Sequence, residues 1–372
     1  MTRAAAARRA LHEFVAAHQR FLLTTHINPD GDGLGSEVAV AEWLRAMGKS
    51  ARVLNDSLVP AAFLFLAQAE TIEAFELALA ERRLGECDAV IVLDTSNRQR
   101  LGRVAPVLER FPVPIAVVDH HVSHVDGFGV VNVIEPRASS TGEIVYDLIR
   151  EWDELQGRPA GASITPLIAE ALYIALMTDT GSFRYSNTDS HAHSMAADLL
   201  AHGLDPQKLH AQVHSHASAG RLRFFGEVLS GLELLDEGRL VVLEAAPEQF
   251  QRHGLSGSDT EGLVDMPRSI AGVDVVALFS EVEPGKVKVS LRSTGRIAID
   301  QVCGRLGGGG HPHAAGVLLR GTRAEARARI LPELERRIVS PEGVAEPGAP
   351  SHHDAGGPGG AAAAAGRSVE RG

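Results

Sequence analysis

Five consecutive apolar residues, Ala89-Val90-Ile91-Val92-Leu93, run directly into Asp94. A second such run, Ile115-Ala116-Val117-Val118, runs directly into Asp119-His120-His121. A short run without polar alternation suits a strand buried on both faces, the kind found in parallel sheets covered by helices. Phe21-Leu22-Leu23-Thr24-Thr25 and Arg52-Val53-Leu54 read as further strands, and residues 130–134 as another. Between the first two, residues 34–47 place Leu34, Val38, Ala41 and Leu44 at helical spacing, closed by Gly48. A helix is expected from Thr141, capped by Ser139 or Ser140, with further helices over 166–177 and 190–200. This alternation predicts an α/β fold with a parallel-sheet N-terminal domain.

A second unit comes next. Ala217-Ser218-Ala219-Gly220 is small and partly polar and reads as a linker, leading into a helix from about Arg221 to Leu235. Strands are expected at 239–243, 273–280 and 287–291, and a last helix at 323–337 with a break or kink at Pro332. The expected layout is an N-terminal catalytic domain (5–216), a connecting linker and helix (217–236), a smaller α/β domain (237–339) and a disordered tail (340–372) rich in Gly, Ala, Pro, Ser and His.

The formal net charge of −11 speaks against a long nucleic acid as the main partner, which would want a basic surface. A small anionic substrate held by local cations remains compatible. No apolar run approaches the ~20 residues of a membrane span, so no membrane partner is expected. Arg3, Arg8 and Arg9 among alanines read as an amphipathic helix rather than a targeting segment. Two cysteines, Cys87 and Cys303, form no disulfide framework, so a cytoplasmic location is expected.

In an open parallel sheet, ligands bind beyond the carboxyl ends of the strands. Three strand ends are polar here: His26-Ile27-Asn28-Pro29-Asp30-Gly31-Asp32, Asp94, and Asp119-His120-His121; a fourth cluster, Thr178-Asp179-Thr180-Gly181, comes after the apolar run 172–177. Together they offer His26, Asp30, Asp32, Asp94, His120 and Asp179, too many ligands for one ion. Two divalent ions sharing a bridging carboxylate, ~3.5–4 Å apart, fit that number. Mixed carboxylate and imidazole suits manganese best, with magnesium, iron, cobalt or zinc as alternatives.

Simpler readings compete for each cluster taken alone. Asn28, Asp30 and Asp32 imitate the opening of a calcium loop, but its twelfth position is Ala39, not Glu. A plain Gly-Asp turn, or a helix cap at Asp94, is the other reading. Four clusters in compatible order weigh against coincidence. Dinucleotide, phosphate-loop, nucleophile-elbow and His-Glu-x-x-His patterns are absent. In the second unit, Gly307-Gly308-Gly309-Gly310-His311 could bring backbone N–H groups close to an anion, and Arg292 could clamp a phosphate. Arg98, Arg100 and Arg103 read as a solvated face, and the histidines from His191 to His216 as surface or packing residues.

In these motifs the chain resembles the DHH phosphoesterase superfamily, and within it the oligoribonuclease and PAP phosphatase (nanoRNase) group with its cyclic-di-AMP phosphodiesterase members. The likeness runs from about residue 5 to 338. It rests on the opening motif at His26, Val92-Leu93-Asp94-Thr95-Ser96, the signature Asp119-His120-His121 with Ala138-Ser139-Ser140-Thr141, residues 178–185, Ser290-Leu291-Arg292-Ser293 and the glycine run. The resemblance implies one metal on His26, Asp30 and Asp94, and another on Asp32, Asp94, His120 and Asp179. It places His121 on the substrate side as a catalytic residue, with Asp119 supporting it. Substrate contacts are expected at Asn28 and Arg184, and from the second unit at Arg292, Ser293, Gly308, Gly309, Gly310 and His311. His124 and Ala175 depart from the common pattern, where relatives often carry Asn and Gly.

The implied activity is metal-dependent hydrolysis of very short RNA and of the 3′-phosphate of pAp, with pApA or cyclic dinucleotides as an alternative and a homodimer as a family expectation. Domain closure would exclude water. A processive single-strand exonuclease, an inorganic pyrophosphatase and a membrane-bound cyclic-dinucleotide regulator fit less well. A non-catalytic nucleotide sensor is the competing class, and a complete set of six metal ligands speaks against it.

Overall fold

In the computed structural model the chain divides into two compact units, Met1–His216 and Ala217–Gly372. The structure describes residues 3–69, 72–121, 124–215, 217–260 and 262–339, and the expected tail (340–372) lies outside them.

The first unit is built on six strands: β1 (Arg20–Thr24), β2 (Ser50–Asn55), β3 (Ile72–Ala74), β4 (Ala89–Leu93), β5 (Ile115–Asp119) and β6 (Val131–Ile134). Their order is β3-β2-β1-β4-β5-β6 and every pairing is parallel. Alternate residues of the central strands feed two separate cores. Leu23, Ile91 and Leu93 pack on one face, and Leu22, Val90 and Val92 on the other. Burial of each such side chain contributes about 1.5–3 kcal/mol. The sheet is therefore covered on both sides, as the unalternating runs require. With this order the chain reverses its direction of winding between β1 and β4. The loops leaving those neighbouring strands diverge and open a crevice at their carboxyl ends.

The chain opens with helix α1 (Arg3–Ala17). Three later helices frame the crevice: α2 (Gly31–Ala46), α3 (Thr141–Leu155) and α4 (Pro166–Asp179). Helix α2 begins three residues before the apolar pattern suggests. The Asp30 side chain caps it, accepting from Asp32 N and Gly33 N at 3.1 Å each. Ser140, not Ser139, caps α3, accepting from Glu143 N at 3.1 Å. Helix α4 runs two residues beyond the expected end, so Asp179 is its last residue.

Small residues let these helices approach. A Cβ on Gly35 would lie 2.4 Å from Ala171 O, and one on Gly142 would lie 2.5 Å from the Ala175 Cβ. Ala175 is thus already at the limit of the space. Gly35→Ala is expected to cost about 1–3 kcal/mol through overpacking. A thermal melt should show a fall of several degrees in Tm; an unchanged Tm would show that this helix contact gives way.

The second unit carries a mixed sheet, β7 (Glu233–Leu235), β8 (Leu240–Ala245), β9 (Val275–Glu283), β10 (Lys286–Ser293), β11 (Gly309–His311) and β12 (Ala314–Arg320). Its order is β11-β12-β10-β9-β8-β7, antiparallel except for the β8–β9 pair. Three expectations are corrected here. The helix expected from about Arg221 to Leu235 is α5 (Ala219–Ser230): it starts two residues earlier, buries Phe224 and Val228 beside Leu243 and Phe250, and ends before Leu235, which lies in β7. Part of the glycine run is an edge strand, since Gly309 to His311 pair with β12. The final helix α6 (Arg323–Val339) continues through Pro332 as one element. Among the described residues, no helix is long and apolar enough to cross a membrane.

Candidate metal centre

His26 lies just beyond β1 and is 3% exposed. Its Nδ1 lies 2.8 Å from the carbonyl oxygen of Ile27, which assigns the ring proton to Nδ1. Nε2 then faces Asp94 Oδ2 at 3.2 Å and Asp30 Oδ2 at 3.7 Å. His120, one residue past β5, repeats the arrangement: Nδ1 lies 3.3 Å from Ala138 O. Its buried Nε2 has no hydrogen-bond partner, yet it faces Asp32 Oδ2 at 3.7 Å, Asp94 Oδ1 at 3.7 Å and Asp179 Oδ2 at 3.6 Å.

Asp94 joins the two sets. It comes directly after β4 with a left-handed φ of 61°, a conformation that costs a non-glycine residue about 1–3 kcal/mol. The turn aims one carboxylate oxygen at each imidazole, and Thr141 Oγ1 donates to Oδ1 at 3.1 Å. Asp32 is held from the other side. The Thr141 and Gly142 backbone N–H groups donate to its two oxygens at 2.7 and 2.9 Å. These amides open α3, where the helix dipole favours an anion. Asn187 Nδ2 reaches the Asp179 backbone carbonyl at 3.1 Å.

The ligand atoms of His26, Asp30 and Asp94 lie within 4.8 Å of one another, as do those of Asp32, His120 and Asp179. Separations of 3.6–3.7 Å between His120 Nε2 and its carboxylates are too long for hydrogen bonds. They suit ligands of a common ion, because two atoms each about 2.1 Å from a metal lie roughly 3.0–4.2 Å apart, depending on the angle between them. An orphaned buried imidazole nitrogen amid carboxylates, with Nδ1 pinned to a carbonyl, is the donor set of a divalent-cation site. The chain therefore carries a metal-binding acidic and histidine cluster.

Electrostatics support that reading. Burial, then the charges of Asp94 and Asp179, push the Asp32 carboxyl well above the usual range. Burial disfavours a charge on His26, but the facing Asp30 and Asp94 outweigh it and push its imidazole up to about 10. Without cations the site must recruit protons. Loading with a divalent metal near neutral pH is expected to expel about one proton from His26, since a metal-bound imidazole nitrogen cannot keep it. Calorimetry in buffers of differing ionisation enthalpy reads this directly; a binding enthalpy independent of buffer would contradict it.

The signature's other two residues form a separate pair. Asp119 is fully buried, and its Oδ1 accepts from His121 N at 3.1 Å and from His121 Nδ1 at 2.7 Å. Burial opposes the Asp119 charge, yet the His121 bond and charge hold the carboxyl down to about 2. Asp119 thus leaves His121 Nε2 directed elsewhere, and Arg100 Nη1 meets it at 3.3 Å.

The fold brings together all six expected metal ligands and the Asp119–His121 pair. Asn28 lies exposed in the loop after β1, with φ 52° and its N–H donating to Ser57 Oγ at 3.0 Å. Arg184 is exposed in the turn after α4, its Nε donating to Gly181 O at 2.7 Å. The other expected substrate contacts belong to the second unit. There Arg292 pairs with Asp265 at 3.3 Å, and buried Ser293 Oγ accepts from Gly295 N at 3.1 Å. A Cβ on Gly308 would lie 2.3 Å from Gly316 O, so the glycine run also serves close strand approach. Sequence reasoning missed Thr141 as a partner of Asp94, Asn187 as a partner of Asp179, and Arg100 as a neighbour of His121. In the sequence Thr141 is legible as a helix start and as the end of the Ala138-Ser139-Ser140-Thr141 motif, not as a partner of Asp94.

A doubly wound sheet whose switch point carries such a cluster is the architecture of a metal-dependent enzyme. Residues 20–176 match the DHH family, N-terminal domain, and residues 238–340 match the DHHA1 domain. The chain is 32% identical over 319 residues to the bifunctional oligoribonuclease and PAP phosphatase NrnA of Thermus thermophilus, covering 85% of this chain and 90% of that one. It is 25% identical over 325 residues to the NrnA of Bacillus subtilis, covering 86% of this chain and 95% of that one. A crystal structure of an exopolyphosphatase-related protein from Bacteroides fragilis aligns with a TM-score of 0.83 at 25% identity, over 91% of this chain and 98% of that one. The chain belongs to the DHH family of phosphoesterases.

Proposed function

We propose that this phosphoesterase hydrolyses short nucleotides, cleaving very short RNA and removing the 3′-phosphate of pAp, in the cytoplasm and with two divalent ions, manganese foremost. The single observation that carries the two-ion reading is Asp94, whose oxygens face two separate imidazole sets. In this reading His26, Asp30 and Asp94 hold one ion, and Asp32, Asp94, His120 and Asp179 the other. Bound there, the ions would polarise the phosphoryl oxygens and lower the pKa of water.

The chain's own groups do the rest. Thr141 and Gly142 fix the Asp32 carboxylate, and Thr141 also fixes Asp94. Asp119 holds His121 through Nδ1 and favours its protonated form, so Nε2 can deliver a proton to the leaving oxygen. Burial works against that charge, but the Asp119 bond raises the His121 pKa above its ordinary value. Asn28 and Arg184 from the first unit, and Arg292, Ser293, Gly308, Gly309, Gly310 and His311 from the second, would contact the nucleotide. A net charge of −11 supports a small substrate over a long polyanion. The names of the Thermus and Bacillus relatives support short RNA and pAp.

The test is a substrate panel with manganese: pAp, very short RNA, pApA, a cyclic dinucleotide and long single-stranded DNA. Turnover of pAp and short RNA, lost in Asp94→Ala, is the expected result. Faster cleavage of long DNA, or nucleotide binding in a calorimeter with no product formed, would overturn the reading.

A further inference from the structure

We propose that Arg100 is a substrate-contacting residue of the first unit, its guanidinium donating to a phosphoryl oxygen of the nucleotide beside His121. This rests on the nucleotide-hydrolase reading above. Arg100 sits in the 3-10 turn Arg98–Leu101, on the connection leaving Asp94. The Asn97 side chain caps this turn, accepting from Gln99 N at 2.9 Å. The Arg100 carbonyl accepts from Ile27 N at 2.7 Å, which ties the turn to the loop carrying His26 and Asp30. The base of the side chain is thus fixed against two segments of the metal centre.

Its partners differ from those of the neighbouring arginines. Arg98 pairs with Glu109 at 3.0 Å and lies over the Phe128 ring at 5.0 Å. Arg103 pairs with Asp56 at 2.8 Å. Among the described residues no carboxylate pairs with the half-buried Arg100; its contact is Nη1 with His121 Nε2 at 3.3 Å. A guanidinium carries five N–H donors in a planar fork that matches phosphate. Four are left for a ligand.

Holding the His121 tautomer does not account for this arginine. Asp119 already fixes Nδ1 as the protonated nitrogen at 2.7 Å. Arrival of a phosphoryl group gives the guanidinium a stronger, charged acceptor. Its move from Nε2 to a phosphoryl oxygen would then hold the nucleotide beside His121.

The test uses full-length, manganese-loaded protein with AMP as the binding probe and pAp as the substrate. Arg100→Ala should weaken AMP binding about 10- to 100-fold while leaving manganese binding and Tm unchanged, and Arg100→Lys should recover part of the loss. In a His121→Ala background, Arg100→Ala should still weaken AMP binding. Unchanged AMP affinity in Arg100→Ala, or no further loss in that background, would mean that Arg100 acts only through His121 and would overturn the proposal. If the wild-type protein neither binds AMP nor hydrolyses pAp, the nucleotide reading itself fails, and this role with it.

Discussion

Asp94→Ala is expected to lower kcat/KM on pAp by more than about 1,000-fold and to abolish tight manganese binding, the largest effect of any single substitution. Loss of an outer partner typically costs a metal site roughly 10–100-fold. In the two-ion reading Asp94 is a shared ligand, since Oδ2 lies 3.2 Å from His26 Nε2 and Oδ1 lies 3.7 Å from His120 Nε2. Removing it disables both sets at once. Thr141→Val provides the internal scale, because Thr141 Oγ1 only orients Asp94, from 3.1 Å. A shared ligand requires Asp94→Ala to be much the worse of the two in the same manganese titration. Equal losses would mean that Asp94 is a structural turn residue and not a shared ligand.

Asp179→Asn is expected to act with opposite signs on stability and on metal binding. Burial, reinforced by Asp94 and Asp30 and opposed by His120, pushes the Asp179 carboxyl up to about 6. Its place as the last residue of α4 adds the unfavourable end of a helix dipole. In the unfolded chain an Asp titrates near 3.9. Between these values the metal-free folded chain holds a proton that the unfolded chain has lost. Metal-free stability therefore falls as pH rises from about 4 to about 6, and stays lowered above that. The amide carries no charge, so metal-free Asp179→Asn should be more stable at neutral pH, by roughly 1–3 kcal/mol. That gain should shrink as pH falls below about 6 and vanish near pH 4. With manganese the order is expected to reverse, since in the proposed site the variant lacks a ligand. Melts with a chelator and with manganese, at several pH values, decide it. A lower Tm for the metal-free variant at neutral pH would contradict this role of Asp179.

The residues that define the site were legible because they end apolar runs. Strands β1, β4 and β5 read as strands from composition alone, and a parallel sheet gathers the residues at the carboxyl ends of such strands into one crevice. Strand β3 was not legible: its three half-buried residues, Ile72-Glu73-Ala74, are too few to show a period. Gly31-Asp32-Gly33 reads as a turn by propensity, yet it is the first turn of α2. The Asp30 cap and close packing with α4 override the cost of glycine there. Gly309 and Gly310 read as loop for the same reason, but pairing with β12 draws them into a strand. The remaining omissions are contacts between distant segments. Nothing local distinguishes Arg100 from Arg98 and Arg103; only the approach of His121 does. Nor does sequence order disclose that the first amides of α3 cradle Asp32.

The most direct test of the proposed two-ion centre is anomalous diffraction from crystals grown with manganese. Two anomalous peaks ~3.5–4 Å apart are expected, with the Asp94 carboxylate between them, His26 beside one and His120 beside the other. A single peak, or two peaks with Asp94 bound to neither, would contradict a shared two-ion site.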